Sequence, residues 1–221
     1  MKKNIIIIGS SGYSKVVIDL IEKQNLFSIV GLTDAHRNIE EEISGYKILG
    51  KEEDLPNLIR VHKVGACLIA IGDNWIRKKV YDKILLITND MEFVTAIHPS
   101  AQIAKNVTID YGTVIMAGAI INSNTKIGKF TIINTKASID HDCLVGDFAS
   151  LAPNATTGGD VKIGDFTAVS ISATIKHGVQ IGEHTVIGAG AVAVKNIGSY
   201  KVAYGVPAKE IRGRTIGEKY L

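Results

Sequence analysis

A histidine flanked by two aspartates, Asp140-His141-Asp142, is the group in this sequence best suited to proton transfer. A nearby carboxylate raises the pKa of an imidazole and can fix its tautomer, which makes the ring a better general base. Side chains of adjacent residues alternate in direction, so we expect only one of the two aspartates to reach the ring. The other interpretation of the same residues is an ordinary exposed histidine.

The sequence around this histidine repeats every six residues without losing register. Fourteen of the sixteen repeat positions hold Ile, Val or Leu, and the residues two places earlier are small or β-branched. A helix would need apolar residues every three or four positions, and an ordinary strand every two. The repeat positions are Ile103, Ile109, Ile115, Ile121, Ile127, Ile133, Ile139, Val145, Leu151, Thr157, Ile163, Val169, Ile175, Ile181, Ile187 and Ala193.

A period of six fits a short strand and a turn that together form one side of a triangular prism. Three such sides make one coil of eighteen residues, so the repeat predicts about five coils stacked at the strand spacing of about 4.8 Å. The predicted architecture is a parallel β-helix, in which each coil buries the open end of its neighbour. Glycine follows the large apolar residue six times, and we expect it to supply turns with positive φ. These glycines are Gly128, Gly146, Gly158, Gly164, Gly182 and Gly188.

The phase of the repeat places His141 on the outer surface, two residues after Ile139. His177 follows two coils later on the same face, roughly 10 Å along the axis. His184 falls in a different outward phase. Zinc–nitrogen bonds are about 2.0–2.1 Å long, so His141 and His177 are expected to lie too far apart to share one zinc ion. A zinc site like that of γ-class carbonic anhydrases would need a ligand from a neighbouring chain, and we expect no metal.

About a hundred residues precede the repeat, and they alternate between strand and helix patterns. Strands are predicted at 4–8, 29–32, 67–71 and 92–97, with helices at 13–22 and 74–85. This alternation is typical of a small parallel sheet with a Rossmann-like topology. We therefore predict an α/β Rossmann-like domain over residues 1–95. A parallel β-helix domain with a short C-terminal tail follows over residues 96–221.

A glycine-rich turn, Gly9-Ser10-Ser11-Gly12, follows the first predicted strand. A strand, such a turn and the start of a helix direct backbone N–H groups and the helix dipole at one point, which suits a phosphate. The full dinucleotide fingerprint is absent, so the pattern favours a nucleoside diphosphate over NAD. Asp34 follows the second strand and Gly72 the third, at the edge where open α/β sheets bind ligands. An ordinary tight turn that requires glycine is the alternative.

Composition excludes several classes of function. The net charge of +3 is too small and too dispersed to indicate nucleic-acid binding. We find no apolar stretch that could span a membrane, and the apolar run at 5–8 is too short for a signal peptide. Cys67 and Cys143 lie in apolar surroundings and are expected to be reduced packing residues. We therefore expect a cytoplasmic protein.

Further motifs extend along nearly the whole chain, and with them the sequence resembles a known family. They are Gly9-Ser10-Ser11-Gly12, Thr33-Asp34, Ala70-Ile71-Gly72-Asp73-Asn74 with Arg77, His98-Pro99, Asn134, His141-Asp142 and Tyr204-Gly205-Val206-Pro207-Ala208-Lys209. The sequence resembles bacterial nucleotide-amino-sugar N-acetyltransferases, which are grouped with sialic acid O-acetyltransferases. Many acyltransferases share the six-residue repeat, whereas the N-terminal domain joined to His141-Asp142 is more specific.

The resemblance implies a left-handed β-helix, a homotrimer with active sites between subunits, and acetyl-CoA as co-substrate. The implied reaction moves the acetyl group to the amine, at C4, of a nucleotide-linked amino-sugar in bacterial glycan or polysaccharide biosynthesis. The implied base is His141, and Asp142 increases its basicity. The implied contacts with the sugar nucleotide are Ser11, Gly12, Tyr13, Thr33, Asp34 and Gly72, and those with acetyl-CoA are Ser150, Ile171 and Ala189.

Two positions depart from the family pattern. Some members have a second histidine nine residues after the base, where this chain has Ser150, which can still donate a hydrogen bond. Some have a histidine after the second turn glycine, where this chain has Tyr13. Two other functions stay open: a sugar O-acetyltransferase of the sialic acid type, and a non-catalytic nucleotide-sugar binding module.

Overall fold

The computed structural model describes residues 2–88 and 90–220, which form two compact units. The first unit comprises Met1–Gly72 and Ile76–Ile97, and the second comprises Asp73–Trp75 and His98–Leu221. Within the described residues, no helix is both long and apolar enough to cross a lipid bilayer.

A six-stranded, mainly parallel sheet forms the framework of the first unit, in the order β3-β4-β2-β1-β5-β6. Its strands are β1 Lys3–Ile8, β2 Phe27–Thr33, β3 Glu42–Ile43, β4 Tyr46–Gly50, β5 Ala66–Ile69 and β6 Glu92–Phe93. The helices are α1 Gly12–Gln24, α2 Leu55–His62 and α3 Asn74–Ile87, with a short 3-10 turn at Glu52–Asp54, and a seventh strand, β7, covers Ala96–Ile97. The first two residues of α3 group with the second unit.

The last four residues of β1, which lies inside this sheet, are all isoleucine, as their position requires. Ile5, Ile6, Ile7 and Ile8 are fully buried, because strands of a parallel sheet are covered on both faces. Strand β1 pairs in parallel with β2 on one side and β5 on the other. The carboxyl ends of all three strands therefore lie at one edge, which confirms the predicted Rossmann-like arrangement.

The second unit is a triangular prism of two-residue strands. Its strands are β8 Gln102–Ile103, β9 Thr108–Ile109, β10 Val114–Ile115, β11 Ile120–Ile121, β12 Lys126–Ile127, β13 Ile132–Ile133, β14 Ser138–Ile139, β15 Leu144–Val145, β16 Ser150–Leu151, β17 Thr156–Thr157, β18 Lys162–Ile163, β19 Ala168–Val169, β20 Thr174–Ile175, β21 Gln180–Ile181, β22 Val186–Ile187 and β23 Val192–Ala193. A closing antiparallel hairpin consists of β24 Lys201–Gly205 and β25 Ala208–Gly213.

Every third strand of the prism belongs to the same side. Side A is β8-β11-β14-β17-β20-β23, side B is β9-β12-β15-β18-β21, and side C contains β10-β13-β16-β19-β22, extended by β24 and β25. Each strand pairs in parallel with the strand eighteen residues further on, as Ile121 does with Ile139. The predicted coil of three hexads is thus confirmed, and the fold is a left-handed parallel β-helix.

The expected role of the six repeat glycines was wrong. None of them has a positive φ, and they are needed because the next coil lies too close for a side chain. A Cβ on Gly164, for example, would lie 2.5 Å from the backbone nitrogen of Glu183. Positive φ occurs instead three residues after each large apolar position. These residues are Asn106, Gly112, Gly118, Asn124, Phe130, Lys136, Asp142, Phe148, Asn154, Asp160, Phe166, Ser172, Gly178, His184 and Gly190.

Candidate functional site

The histidine–aspartate group lies at the first corner of the prism, where side A turns into side B. This corner comprises residues 140–142, 158–160 and 176–178 of three successive coils. Nδ1 of His141 lies 2.8 Å from Oδ2 of Asp142, and both side chains are about half exposed. Asp142 has a φ of 58°, in the left-handed region. Of the two flanking aspartates, Asp142 is the one that reaches the ring.

Asp140 fixes the backbone of the same turn. Its Oδ1 accepts a hydrogen bond from the backbone N–H of His141 at 2.8 Å and another from Nδ2 of Asn122 at 2.9 Å. The backbone N–H of Asp140 points to the hydroxyl of Thr157 at 3.3 Å. Thr157 is one of the two exceptions in the apolar repeat series. The coil that follows His141 thus has a polar residue at an inward position, and this residue contacts the turn that carries the histidine.

A line of amides orients the other oxygen of Asp142. Nδ2 of Asn124 donates to Oδ1 of Asp142 at 3.1 Å, and Nδ2 of Asn106 donates to Oδ1 of Asn124 at 3.2 Å. The three residues follow one another at intervals of eighteen, one per coil. With one oxygen held by Asn124, the other is directed at His141. The motifs of the sequence do not reveal this line of amides, although the spacing of eighteen residues between the asparagines is a signal for it.

These contacts shift the pKa values of the pair in opposite directions. The Asp142 hydrogen bond, aided by the charges of Asp140 and Asp160, raises the pKa of His141 above its ordinary value. The hydrogen bonds from His141 and Asn124 lower the pKa of Asp142. An ionised Asp142 accepts a hydrogen bond from Nδ1–H of the neutral ring, which leaves Nε2 as the basic nitrogen.

The ring of His141 lies over a glycine of the next coil. A Cβ added to Gly159 would lie 2.5 Å from Nε2 and 2.6 Å from Cε1 of His141. The next residue along this corner is His177, and the two ring centroids are 6.2 Å apart. The rings are thus closer than the roughly 10 Å predicted from the coil spacing, because no side chain separates them. Among the described residues, no group of three His, Cys, Asp or Glu side chains is arranged to hold a metal ion.

The residues implied to contact acetyl-CoA lie along a different edge of the prism. This second corner, where side C turns into side A, comprises residues 152–154, 170–172 and 188–190. Ile171 and Ala189 are exposed in its turns, and Ser150 is partly exposed on the strand that precedes it. The first and second corners border opposite edges of side A. One hexad, at most about 20 Å of extended chain, separates them.

A pocket of about 310 Å³ opens beside the second corner. It is lined by Ser170, Val186, Gly188, Ala189, Val202, Tyr204, Arg212, Arg214, Glu218, Lys219 and Tyr220. Three of these side chains are cationic and one is anionic, and Glu218 forms an ion pair with Arg212 at 2.6 Å. The pocket therefore combines apolar prism residues with a basic rim from the C-terminal tail.

The third corner, where side B turns into side C, carries stacked rings. Phe130, Phe148, Phe166, His184 and Tyr200 follow one another with centroid distances of 4.9, 5.4, 4.5 and 5.1 Å. Rings repeated at the coil spacing stack nearly parallel and fill this corner. We call this column of stacked rings the aromatic ladder, and it gives the third corner a structural role.

His184 was expected to point outward, but its side chain is buried in this ladder, with 7% of the residue exposed. Trp75 packs against it at 5.8 Å and against the edge of Phe166 at 5.5 Å. Burial lowers the pKa of His184, and the nearby Arg214 acts in the same direction. The neutral ring is therefore the form that the fold favours.

In the first unit, Asp34 holds the glycine-rich turn in place. Its Oδ2 accepts hydrogen bonds from the backbone N–H and the hydroxyl of Ser10 at 3.0 and 2.5 Å, and its Oδ1 accepts from the backbone N–H of His36 at 2.8 Å. Partial burial raises the pKa of Asp34, but the hydrogen bonds from Ser10 and His36 outweigh it and the net shift is downward. An ionised carboxylate thus links the end of β2 to the turn after β1.

The start of α1 is open at this edge. Ser11 is exposed and makes no side-chain capping hydrogen bond, and the space next to Gly12 is empty within 4 Å of an added Cβ. Gly72 follows β5 at the same edge, and its carbonyl accepts a hydrogen bond from the buried Arg77 at 3.0 Å. Uncapped N–H groups at a helix start suit a phosphate.

Two of the predicted contacts are buried. Thr33 is fully buried and its hydroxyl has no hydrogen-bond partner, so a direct side-chain contact with a ligand does not fit its placement. It acts instead through its carbonyl, which accepts a hydrogen bond from the N–H of Gly9 at 2.8 Å. The hydroxyl of Tyr13 is also buried without a hydrogen-bond partner, and burial raises its pKa. The residue Tyr13 is partly exposed, but its hydroxyl is not accessible.

Comparison with known proteins agrees with this architecture. Residues 4–84 match the model of the PglD N-terminal domain, and residues 160–193 match the bacterial transferase hexapeptide model of six repeats. The chain is 35% identical over 114 residues to UDP-N-acetylbacillosamine N-acetyltransferase of Bacillus subtilis. That match spans 51% of this chain and 51% of the relative, so the chain aligns with about half the length of this curated protein.

Two solved structures resemble the chain over nearly its whole length. PerB from Caulobacter crescentus, in complex with CoA and GDP-perosamine, is 34% identical with a TM-score of 0.88, covering 95% of this chain and 97% of that one. The acetyltransferase domain of PglB from Neisseria gonorrhoeae, in complex with acetyl coenzyme A, is 27% identical with a TM-score of 0.87, covering 96% and 100%. The fold is that of a hexapeptide-repeat transferase. The chain belongs to the family of bacterial nucleotide-amino-sugar N-acetyltransferases.

Proposed function

We propose that this protein transfers the acetyl group of acetyl-CoA to the amine, at C4, of a nucleotide-linked amino-sugar used in bacterial glycan or polysaccharide biosynthesis. The observation that carries the proposal is the His141–Asp142 pair, whose exposed Nε2 is free to accept a proton. The relatives support the two substrates, since PerB was solved with CoA and GDP-perosamine. Both substrates are cytoplasmic metabolites, so the proposal places the reaction in the cytoplasm.

The chemistry follows from the orientation of the imidazole. The amine nitrogen forms a bond to the thioester carbonyl carbon while Nε2 of His141 removes its proton, which is worth about 10²–10⁴-fold in rate. The C–S bond then breaks, and the proton on His141 passes to the departing CoA thiolate. Asp142 stabilises the imidazolium formed between these two steps. Because the charge on the carbonyl oxygen needs a donor, we assign that role to a backbone N–H.

The sugar nucleotide is proposed to bind at the carboxyl edge of the first unit. The open start of α1, at Ser11 and Gly12, suits its phosphates, and Gly72 lies at the same edge. Asp34 is proposed to accept hydrogen bonds from the nucleoside. Tyr13 and Thr33 are proposed to support this edge from beneath, in keeping with the burial of Thr33 and of the Tyr13 hydroxyl.

Acetyl-CoA is proposed to lie along the second corner, near Ser150, Ile171 and Ala189. The basic rim of the adjoining pocket, with Arg212 and Lys219, suits its phosphate groups. Ser150 replaces a histidine found in some relatives and is proposed to donate a hydrogen bond to the acetyl group. The C-terminal tail would then take part in co-substrate binding.

The two corners also argue for an oligomer. Within one prism the base lies at the first corner and the acetyl-CoA residues at the second, on opposite edges of side A. A second copy that sets its second corner beside the first corner of its neighbour would complete the site. A cyclic trimer repeats this contact three times with one kind of interface. We therefore propose a homotrimer with active sites between subunits.

The central test is a thiol-release assay with acetyl-CoA and a panel of UDP-, GDP- and dTDP-linked 4-amino-sugars. We expect release with at least one acceptor and an alkali-stable amide product. His141→Ala should lose about 10²–10⁴-fold in rate, whereas His36→Ala, a histidine of the first unit outside the proposed base, should keep an active base. The proposal would be overturned if none of the acceptors in the panel supported thiol release. It would also be overturned if the His141→Ala variant were as fast as the parent.

Mixing variants tests the shared site. His141→Ala and Ile171→Asp subunits should each be nearly inactive alone, because one lacks the base and the other disrupts the co-substrate corner. After denaturation and refolding together, mixed trimers contain interfaces with both wild-type corners, so part of the activity should return. Without recovery in mixtures shown to be trimeric, the site would lie within one chain.

A further inference from the structure

The first corner carries one column of residues that repeats at every coil. Its members, eighteen residues apart, are Lys105, Ser123, His141, Gly159, His177 and Lys195. His141 and His177 are the two imidazoles of this column, and Gly159 is the residue between them. The column therefore offers one basic nitrogen, one position without a side chain and one further imidazole in sequence.

The basic nitrogen of His141 is directed along this column towards His177. Nε2 is the ring atom nearest to the position that a Cβ of Gly159 would occupy, at 2.5 Å, and Nδ1 is held by Asp142. The ring of His177 is exposed, and its centroid is 6.2 Å from that of His141. A molecule that places its amine on Nε2 therefore places its neighbouring atoms beside His177.

Carboxylates lie close to the His141 end of this column. Asp140 and Asp160 act electrostatically on His141, and His177 acts on Asp140. An amino-sugar arrives largely as an ammonium ion, which the aspartates attract, and it loses one proton to solvent before the neutral amine attacks the thioester. The amino group of a sugar ring is flanked by a carbon that commonly carries a hydroxyl, and an imidazole can donate to or accept from a hydroxyl.

We propose that His177 is a second acceptor-binding residue, which hydrogen-bonds the hydroxyl next to the reacting amine, and that Gly159 lets the His141 ring pack close enough to bring the two imidazoles together. This inference rests on the proposed function and adds to it the group that distinguishes acceptors. His177 contacts the sugar and does not carry the proton. Its loss therefore weakens acceptor use and leaves acetyl-CoA binding intact.

The test compares His177→Ala and His177→Asn with Lys105→Ala. Lys105 belongs to the same column and lies two coils before His141, as His177 lies two coils after it. Loss of one hydrogen bond lowers kcat/KM for the acceptor about tenfold in His177→Ala, with an unchanged KM for acetyl-CoA. His177→Asn keeps a hydrogen-bonding amide and should recover part of the loss, and Lys105→Ala should match the parent.

An acceptor analogue without the neighbouring hydroxyl makes the test specific. The parent should use this analogue about tenfold less well, and His177→Ala should lose nothing further, since both changes remove the same contact. Independent, multiplying losses would overturn the proposal, as would equal behaviour of the His177→Ala and Lys105→Ala variants. If the parent itself releases no thiol with any amino-sugar nucleotide, the proposed function fails and the inference fails with it.

Gly159→Ala tests the other half of the proposal. The added Cβ must displace the His141 ring, so kcat should fall at least tenfold while the protein remains folded by circular dichroism. Gly198→Ala is the control, because its added Cβ meets its nearest atom at an ordinary 3.5 Å. A folded Gly159→Ala variant with full activity would show that the close packing of His141 on Gly159 is not needed.

Discussion

Nδ1 of His141 and Oδ2 of Asp142 lie 2.8 Å apart although the two residues are consecutive in the chain. Consecutive side chains in a strand point in opposite directions, but Asp142 has a φ of 58° and turns its carboxylate back to the ring. The same left-handed position recurs in each hexad from Asn106 to Gly190. The left-handed residue that ends each turn of the prism therefore provides the conformation that pairs the base with its carboxylate.

Asp142→Asn is expected to change the pH dependence of the reaction. The carboxylate raises the pKa of His141, and activity needs the neutral ring, so kcat/KM rises as the pH increases through that raised value. Without the charge, the pKa of His141 falls towards its ordinary value of about 6.5, and the acid limb moves to lower pH. The plateau should fall roughly 10–100-fold, because the ring is less basic and less well oriented.

The measurement is kcat/KM between pH 5 and 9, with Asp140→Asn as the matched control. Asp140 accepts the backbone N–H of His141 and does not touch the ring nitrogens. The acid limb of kcat/KM should therefore move less in Asp140→Asn than in Asp142→Asn. An acid limb that stays in place in Asp142→Asn would contradict the role assigned to the carboxylate.

Asp34→Ala is expected to weaken sugar-nucleotide binding without affecting acetyl-CoA. The substitution removes the acceptor that ties Ser10 to the end of β2, so the turn at the start of α1 loses its fixed position. We expect the KM for the acceptor to rise about tenfold, which corresponds to about 1.4 kcal/mol. Because the pKa of Asp34 is lowered, its carboxylate stays ionised between pH 5 and 8. Protonation of Asp34 should therefore not weaken acceptor binding by the parent in this range.

Gly164→Ala is expected to destabilise the prism. The added Cβ would lie 2.5 Å from the backbone nitrogen of Glu183 in the next coil, and backbone cannot move aside as a side chain can. We expect a loss of about 1–3 kcal/mol in the free energy of unfolding. Urea unfolding followed by the fluorescence of Trp75 measures it, since that indole packs on Phe166 in this unit. Gly198→Ala should unfold as the parent does.

His184→Phe is expected to reduce the sensitivity of the prism to acid. The pKa of His184 is lowered in the folded protein, so the unfolded chain binds the proton more readily. Stability from the neutral ring is therefore full above the unfolded pKa of about 6.5 and declines as the pH falls below it. Phenylalanine keeps the stack on Phe166 and cannot be protonated. The variant should lose less stability than the parent between pH 7.5 and 5.5, and an equal loss would refute this explanation.

The repeat made the architecture predictable because each coil needs the same inward residues. The register of Ile121 and Ile139 could be derived from spacing alone, and so could the outward position of His141. The first unit was predicted in its central strands, but the hairpin of β3 and β4 and helix α2 were missed. These elements are short and carry little apolar periodicity.

Contacts that depend on neighbouring coils were less predictable. The burial of His184 follows from stacking on Phe166 and Tyr200, two rings that its own local sequence does not indicate. The six glycines were recognised as necessary for the wrong reason, since close approach between coils cannot be seen in a single hexad. The position of Thr33 beneath the glycine-rich turn likewise depends on the packing of two strands.

The column of the first corner has one residue per coil, at intervals of eighteen residues, and thus fixes the spacing along that edge of the prism. Backbone positions along that edge advance in whole steps of about 4.8 Å, one for each coil. An inserted coil between His141 and His177 would lengthen the acceptor site by one such step and leave every corner in register. Insertion of six residues would instead move all later residues to another edge. Under the role proposed for His177, the number of coils between the two histidines sets the length of the acceptor site.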